Sequence, residues 1–298
     1  MVLTINQLTK SFGNVTAVNS ISFDIERGQV FGILGPNGSG KSTTLGMLLG
    51  VIRPDSGHYS WFGEGQAGKH RRRLGALLEK PNFCPWLSGQ QNLKITAYVR
   101  GLPHIEQSVQ SSLQKVGLWA DRLKAFSSYS LGMKQRLAIA ATLLGDPEVL
   151  VLDEPTNGVD AEGIIEIRET IKELAGEGKT IVLASHILDE VEKVCTHVSI
   201  MKQGNILQSG AISDVLTVED TVEVAARELG KLGDALKACE LVRDFEIKNE
   251  LCLVHLKEGK PLEDLNRFLL DQGVSVYHLV QKKKSLEAHF LELLGNEK

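Results

Sequence analysis

Gly35-Pro36-Asn37-Gly38-Ser39-Gly40-Lys41-Ser42 decides how the rest of the chain is read. The stretch fits G-x-x-x-x-G-K-[ST], a loop that wraps phosphate groups. Gln29-Val30-Phe31-Gly32-Ile33-Leu34 precedes it, an apolar run short enough for a buried strand. Ser42-Thr43-Thr44-Leu45-Gly46-Met47-Leu48-Leu49 follows, with apolar residues spaced as on one helix face. Strand, glycine-rich loop and helix form the context that the motif requires. Glycines let backbone N–H groups turn inward and approach phosphate oxygens with no Cβ in the way. The helix N-terminus adds free N–H groups and the positive end of its dipole. Lys41 is expected to reach the β- and γ-phosphates, and the Ser42 hydroxyl to ligate Mg²⁺. The binding stretch is taken to run from Gly35 through Thr43.

The chain has 298 residues, enough for one large domain or two smaller ones. Hydrophobic content of 42% and charged content of 23% are ordinary for a globular protein. A net charge of -4 gives no pull toward nucleic acid, and no nucleic-acid partner is expected. No apolar run approaches the ~20 residues of a membrane span. Met1-Val2-Leu3-Thr4-Ile5 has neither a basic segment nor a long apolar stretch, so no signal peptide is expected. Cys84, Cys195, Cys239 and Cys252 are scattered without a C-x-x-C, which reads as buried reduced thiols in a reducing cytosol.

Leu3-Thr4-Ile5-Asn6-Gln7-Leu8 alternates apolar and polar residues, as do Ile21 to Glu26. Both read as strands with one wet face, an antiparallel sheet that leads into an α/β core. Pro54-Asp55-Ser56-Gly57 is a turn, and a strand returns over His58 to Phe62. The basic run Lys69 to Arg73 reads as a solvated helix face. Gly75 to Leu78 is a core strand ending at Glu79. From Gln90 to about Leu144 the pattern is helical throughout, an inserted block. Strands resume at Val149 to Leu152 and Thr180 to Ala184, with helices over Asp160 to Ala175 and Ile187 to Val194. A hairpin turns at Gln203-Gly204. Composition shifts near Asp214 to Asp220. Beyond it the order is β-α-β-β-α-β, with a tight turn at Asn249-Glu250, and a last helix closes the chain. That order matches a ferredoxin-like unit.

Val149-Leu150-Val151-Leu152-Asp153-Glu154 is a buried strand ending in two acids. Ligands of open α/β sheets sit beyond strand C-termini. Asp153 is then placed to bind Mg²⁺ through a water, and Glu154 to take a proton from an attacking water.

With these residues in view a resemblance is plain. The phosphate loop, Ser130-Leu131-Gly132-Met133-Lys134-Gln135-Arg136, Leu152-Asp153-Glu154-Pro155-Thr156 and Ser185-His186 occur in this order. The chain resembles the ATPase subunit of an ABC transporter over about residues 1–215. The resemblance implies an α/β fold: a P-loop NTPase (RecA-like) core with an antiparallel β subdomain and a helical subdomain at about 88–146. Residues 216–298 would form a small α+β (ferredoxin-like) accessory domain. ATP and Mg²⁺ are the implied cofactors.

Carried over by resemblance, Phe12 matches the aromatic that stacks on adenine; a core Phe is the alternative. Ser130 and Gly132 match the motif that contacts the γ-phosphate held by another subunit, and a helix N-terminus is a ready anion site. Leu131 departs from the usual Gly. Asp160 matches the loop that links two sites across a dimer. His186 matches the residue that contacts the γ-phosphate and helps position water. Glu79 stands where the family usually has Gln. An ionised Glu only accepts hydrogen bonds, so Glu79 is either a Mg²⁺ ligand or a structural acid. Glu79-Lys80-Pro81, the Leu131-containing motif and Ser285-Leu286-Glu287-Ala288-His289-Phe290 are similar to the bacitracin-resistance and lantibiotic-immunity exporter branch.

The implied assembly is a homodimer or heterodimer of ATPase subunits that closes on two ATP molecules. It would work with a separate membrane-spanning permease on the cytoplasmic face of the membrane. Phe83, Trp86 and Leu87 either form the cleft that receives a permease helix or pack internally. A soluble ABC-type ATPase of translation or DNA maintenance is the alternative function.

Overall fold

The computed structural model describes residues 1–64, 69–78, 82–215, 218–248, 251–257, 260–283 and 286–295. The chain divides into two compact units, Met1–Val215 and Leu216–Lys298.

The first unit begins with β1 (Leu3–Phe12) and β2 (Val15–Ile25), and β4 (Ser56–Trp61) completes an antiparallel sheet in the order β2-β1-β4. Between them come β3 (Val30–Leu34) and α1 (Lys41–Leu48). A second sheet of six strands has the order β5-β6-β7-β3-β8-β9. It is built from β5 (Leu74–Leu77), β6 (Val149–Asp153), β7 (Thr180–Ser185), β8 (His197–Lys202) and β9 (Asn205–Ala211), together with β3. All neighbours pair in parallel except β8 and β9. Every residue of β3, β6 and β7 is buried, as parallel strands covered on both faces require. One core joins the two sheets. Leu3, Ile5 and Trp61 share it with Leu45 and Leu48 of α1 and with Phe31, Val151 and Val182. The buried Trp61 indole N–H donates to the Leu48 carbonyl at 2.8 Å, so that the ring's one polar atom is satisfied.

Lys69–Arg73 form a single 3₁₀ turn. Its last residue is not simply solvated. The Arg73 guanidinium lies 3.4 Å from the centroid of the Phe62 ring, and its Nε donates to Glu148 at 2.5 Å. That bond holds the Glu148 carboxyl below its ordinary range.

The inserted block comprises α2 (Gly89–Val99), α3 (Ile105–Lys115) and α4 (Leu131–Leu143). Leu93, Ala97, Val109, Leu113, Leu137 and Ala140 are its buried stripe. A capping box starts α2: Ser88 Oγ accepts from Gln91 N, and Gln91 Oε1 accepts from Ser88 N. The helical pattern does not run unbroken. The chain leaves helix after α3 at Gly117, whose φ of +67° suits glycine, and only a 3₁₀ turn, Phe126–Ser128, intervenes before α4. The unit closes with α5 (Ala161–Gly176), α6 (Leu188–Val194) and the short α7 (Ile212–Val215).

The second unit contains β10 (Val218–Ala226), α8 (Leu229–Ala238), β11 (Val242–Lys248), β12 (Leu251–Leu256), α9 (Leu262–Asp271), β13 (Val276–Lys283) and α10 (Leu286–Gly295). Its sheet is antiparallel in the order β11-β12-β10-β13. Leu232 and Leu236 of α8 and Leu265 and Leu269 of α9 pack on Val222, Val224, Cys252 and Val254. The turn expected at Asn249-Glu250 lies outside the described residues. Cys195, Cys239 and Cys252 are buried, and Cys84 is partly so. Burial pushes the Cys252 thiol up to about 11 and raises Cys195 as well.

Candidate functional site

β3 lies mid-sheet, between β7 and β8. From Leu34 the chain turns through Gly35–Gly40 into α1. Space and backbone both demand glycine here. A Cβ on Gly35 would stand 2.3 Å from the Met201 carbonyl oxygen, and one on Gly40 2.3 Å from that of Ala17. Gly40 is also left-handed, at φ +105°. No side chain caps α1, so none competes for its first-turn amides. The loop opens on a cavity of about 430 Å³ lined by Gly38, Gly40, Lys41, Ser42 and Thr43, with Asn37 and Ala17 beside them. Glu154, Asn157 and His186 line it from the ends of β6 and β7.

β6 ends on the buried Asp153, and Glu154 follows with φ +47°. A non-glycine residue held there costs about 1–3 kcal/mol and persists only where its surroundings fix it. Glu154 N donates to the Ala184 carbonyl at 2.9 Å, and the Glu154 carbonyl accepts from Asn157 N at 3.1 Å. The carboxylate is thereby placed between two cavity residues. Oε2 meets His186 Nδ1 at 2.7 Å, and Oε1 lies 3.5 Å from Lys41 Nζ. An ionised carboxylate only accepts, so the imidazole Nδ1–H donates and Nε2 is the nitrogen left for a ligand. Lys41, only 5% exposed, also donates to the carbonyls of Gly35 at 2.8 Å and Pro36 at 3.2 Å. A buried ammonium needs such partners. The cavity therefore offers fixed positive charge beside a hydrogen-bonded carboxylate. That suits an anion undergoing attack by water. Ser42, exposed in the first turn of α1, and Asp153 supply hard oxygen donors of the kind Mg²⁺ takes.

Three other expected residues gather elsewhere. Ser130 caps α4, its Oγ accepting from Met133 N at 3.2 Å. Asp160 caps α5, its Oδ1 accepting from Gly163 N at 3.2 Å. Between them lies the buried Gly132, where a Cβ would make ordinary contact with Gly163 Cα at 3.4 Å and Asp160 Oδ1 at 3.9 Å. Ser130, Gly132 and Asp160 thus share one corner, and none lines the cavity. Leu131, which departs from the usual glycine, is 50% exposed at this corner.

Phe12 ends β1 and is 51% exposed, with Lys10 Nζ 5.4 Å from its ring centroid. It is not a core residue, nor does it line the cavity. The aromatics near residue 85 divide. Phe83 packs edge-on against Phe126 at 5.2 Å, whereas Trp86 is 77% exposed. Glu79, Lys80 and Pro81 lie outside the described residues. Sequence reasoning passed over Asn157 and Ala17. Asn157 directly follows Leu152-Asp153-Glu154-Pro155-Thr156, a position that could have marked it. Ala17 lies in β2, far along the chain from the loop, and no residue pattern announces it.

Residues 18–157 match the family model described as ABC transporter. The chain is 36% identical over 310 residues to the bacitracin transport ATP-binding protein BcrA of Bacillus licheniformis, covering 99% of this chain and 97% of that protein. It is 38% identical over 206 residues to the lantibiotic transport ATP-binding protein SrtF of Streptococcus pyogenes, covering 69% of this chain and 89% of that one. Among solved structures, cbiO1 of Clostridium perfringens, part of the ABC transporter complex cbiONQ, superposes with a TM-score of 0.66 at 31% identity. That match covers 72% of this chain and 90% of cbiO1.

Proposed function

Because the chain belongs to the family of ABC transporter ATP-binding proteins, we propose that its cavity holds ATP and that the α4–α5 corner of a second subunit completes the site. The chain is an ATP-binding and ATP-hydrolysing subunit of an ABC transporter. The observation that carries the fuller reading is the convergence of Lys41, Glu154 and His186 on one cavity at the glycine loop.

Each residue then has a role. The amides of Gly35 to Gly40, with Pro36, Asn37 and Ser39 shaping the loop, cradle the phosphates, and Thr43 extends the cradle into α1. Lys41 moves its donors from loop carbonyls to the β- and γ-phosphates. Glu154 takes a proton from water as the water oxygen bonds to the γ-phosphorus. The bond to the bridging oxygen breaks, and ADP keeps that electron pair. His186 holds Glu154 in place and turns its other nitrogen to the γ-phosphate. Ser42 and Asp153 would hold Mg²⁺, which when bound neutralises phosphate charge. Glu79 is a third candidate ligand. Phe12, exposed at a strand end, stacks on adenine.

Ser130 and Gly132 meet the γ-phosphate of the facing subunit, and Asp160 links the two sites. Phosphate charge closes the dimer, and its loss on hydrolysis opens it. Gel filtration of Glu154→Gln tests this. With ATP the variant should elute as a dimer and return to monomer when nucleotide is removed. A monomer at every ATP concentration overturns the sandwich.

Among the described residues no helix is long and apolar enough to cross a membrane. We place the membrane-spanning part in a separate permease, with this subunit on its cytoplasmic face. A groove of about 550 Å³ beside the inserted block is lined by Leu49, Val51, Leu74 and Leu78 and by Thr96, Arg100 and Arg71. The exposed Tyr98 and Val99 belong to the same block, and the exposed Trp86 precedes it. Together they suit a short amphipathic permease helix carrying an acidic residue. The full-length similarity to a bacitracin transport protein supports export of peptide antibiotics, an ABC-2-type role in resistance. It disfavours a soluble ATPase of translation or DNA maintenance. The strand order of residues 216–298 supports a ferredoxin-like accessory domain.

A further inference from the structure

Two acids are buried among the described residues, Asp153 and Glu190. The mechanism above uses Asp153 and leaves Glu190 without a task. Glu190 lies in the first turn of α6, just past His186, and is 7% exposed. Its Oε2 accepts a hydrogen bond from Thr156 Oγ1, which is itself buried. Thr156 stands two residues after Glu154. Its carbonyl accepts from Val159 N at 3.1 Å, next to Asp160. One side-chain bond therefore joins the helix after His186 to the turn that carries Glu154 and leads to Asp160.

We infer that Glu190 is a positioning residue for hydrolysis: through Thr156 it holds the left-handed Glu154 turn in register with His186. A buried carboxylate is a poor way to stabilise a fold, since a matched apolar pair fills the same space without desolvating a charge. A charge-assisted bond to a hydroxyl, by contrast, fixes direction and distance. Fixed direction is what Glu154 needs, because its backbone φ of +47° has to be held by its neighbours. The inference rests on the reading of Glu154 as the residue that takes the proton from water.

Four variants test it by kcat and KM for ATP and by melting: Glu190→Ala, Glu190→Gln, the pair Glu190→Leu with Thr156→Val, and Glu154→Gln as control. Glu190→Ala should lower kcat about tenfold or more while KM stays within about threefold, the signature of an interaction made only in the transition state. Glu190→Gln still accepts from Thr156 and should recover kcat to within about threefold of wild type. The Leu/Val pair should melt at or above wild type and remain slow. A stable pair with wild-type turnover overturns the inference. So does a pair that does not fold, because the bond would then hold the fold rather than the site. If Glu190→Ala does not fold, the pair and Glu190→Gln decide. Full turnover by Glu154→Gln would instead overturn the reading of Glu154 itself.

Discussion

Two helix N-termini in the first unit are assigned to the same phosphate, and they are finished in opposite ways. α1 follows a left-handed glycine and has no side-chain cap; α4 is capped by Ser130 within its own chain. The start of α1 is lined by Ala17 of β2 and by Glu154 and His186, just beyond β6 and β7, and has a buried lysine beside it. The start of α4 is a surface corner, with Leu131 50% exposed and Asp160 at the next helix start. A self-capped, exposed N-terminus is stable without ligand. An uncapped one in a cavity leaves its amides to whatever binds there. On the proposed reading α1 is the resident half of a site and α4 the half offered to another chain.

The largest expected effect breaks the resident half. Lys41→Ala removes a buried charge that two carbonyls and Glu154 surround. Truncating one partner of such a set costs about 2–5 kcal/mol, or about thirtyfold or more in ATP affinity. Binding of a fluorescent ATP analogue to the isolated subunit measures it. Unchanged affinity would remove Lys41 from the nucleotide site.

The next effect bears on the offered half alone. Leu131→Glu puts an acid in the first turn of α4, where the helix dipole favours it, so folding should not suffer. The same charge would face the partner's γ-phosphate. In a Glu154→Gln background, ATP-driven dimerisation should weaken about tenfold or more, the cost of like charges brought together. Analogue binding by the monomer should stay as it was. Loss of both would mean that the two N-termini are not separate halves, and the comparison would fail.

The resident half was legible in the sequence because its chemistry is local. Eight consecutive residues, Gly35 to Ser42, carry loop, charge and hydroxyl, and the parallel strands show as unbroken apolar runs. What escaped reading depends on partners far along the chain. Thr156 and Glu190 are 34 positions apart, and neither belongs to a pattern that points to the other. Arg73 read as one of a solvated basic run, yet Phe62 and Glu148 give it a fixed place. Phe83 and Trp86 look alike in sequence. Only folding shows that Phe126 waits for the first while the second stays 77% exposed. The inserted block read as continuous helix because apolar spacing persists past Lys115, through the buried Val116 and Leu118; the left-handed backbone at Gly117 ends the helix all the same.

The smallest expected effect separates two jobs that one hydroxyl performs. Ser130 caps α4 and is also the proposed γ-phosphate contact of the partner site. Replacing an N-cap serine by alanine costs about 1 kcal/mol, but replacement by glycine only a few tenths. In a unit of this size, 1 kcal/mol is about 2–4 °C of melting temperature. Ser130→Ala should therefore melt a few degrees low and Ser130→Gly close to wild type. Turnover distinguishes the jobs. If the hydroxyl touches phosphate across the dimer, both variants slow hydrolysis equally while only alanine loses stability. If turnover instead follows melting, with glycine restoring both, Ser130 serves its own helix alone, and the anion site of the offered half reduces to the backbone around Gly132.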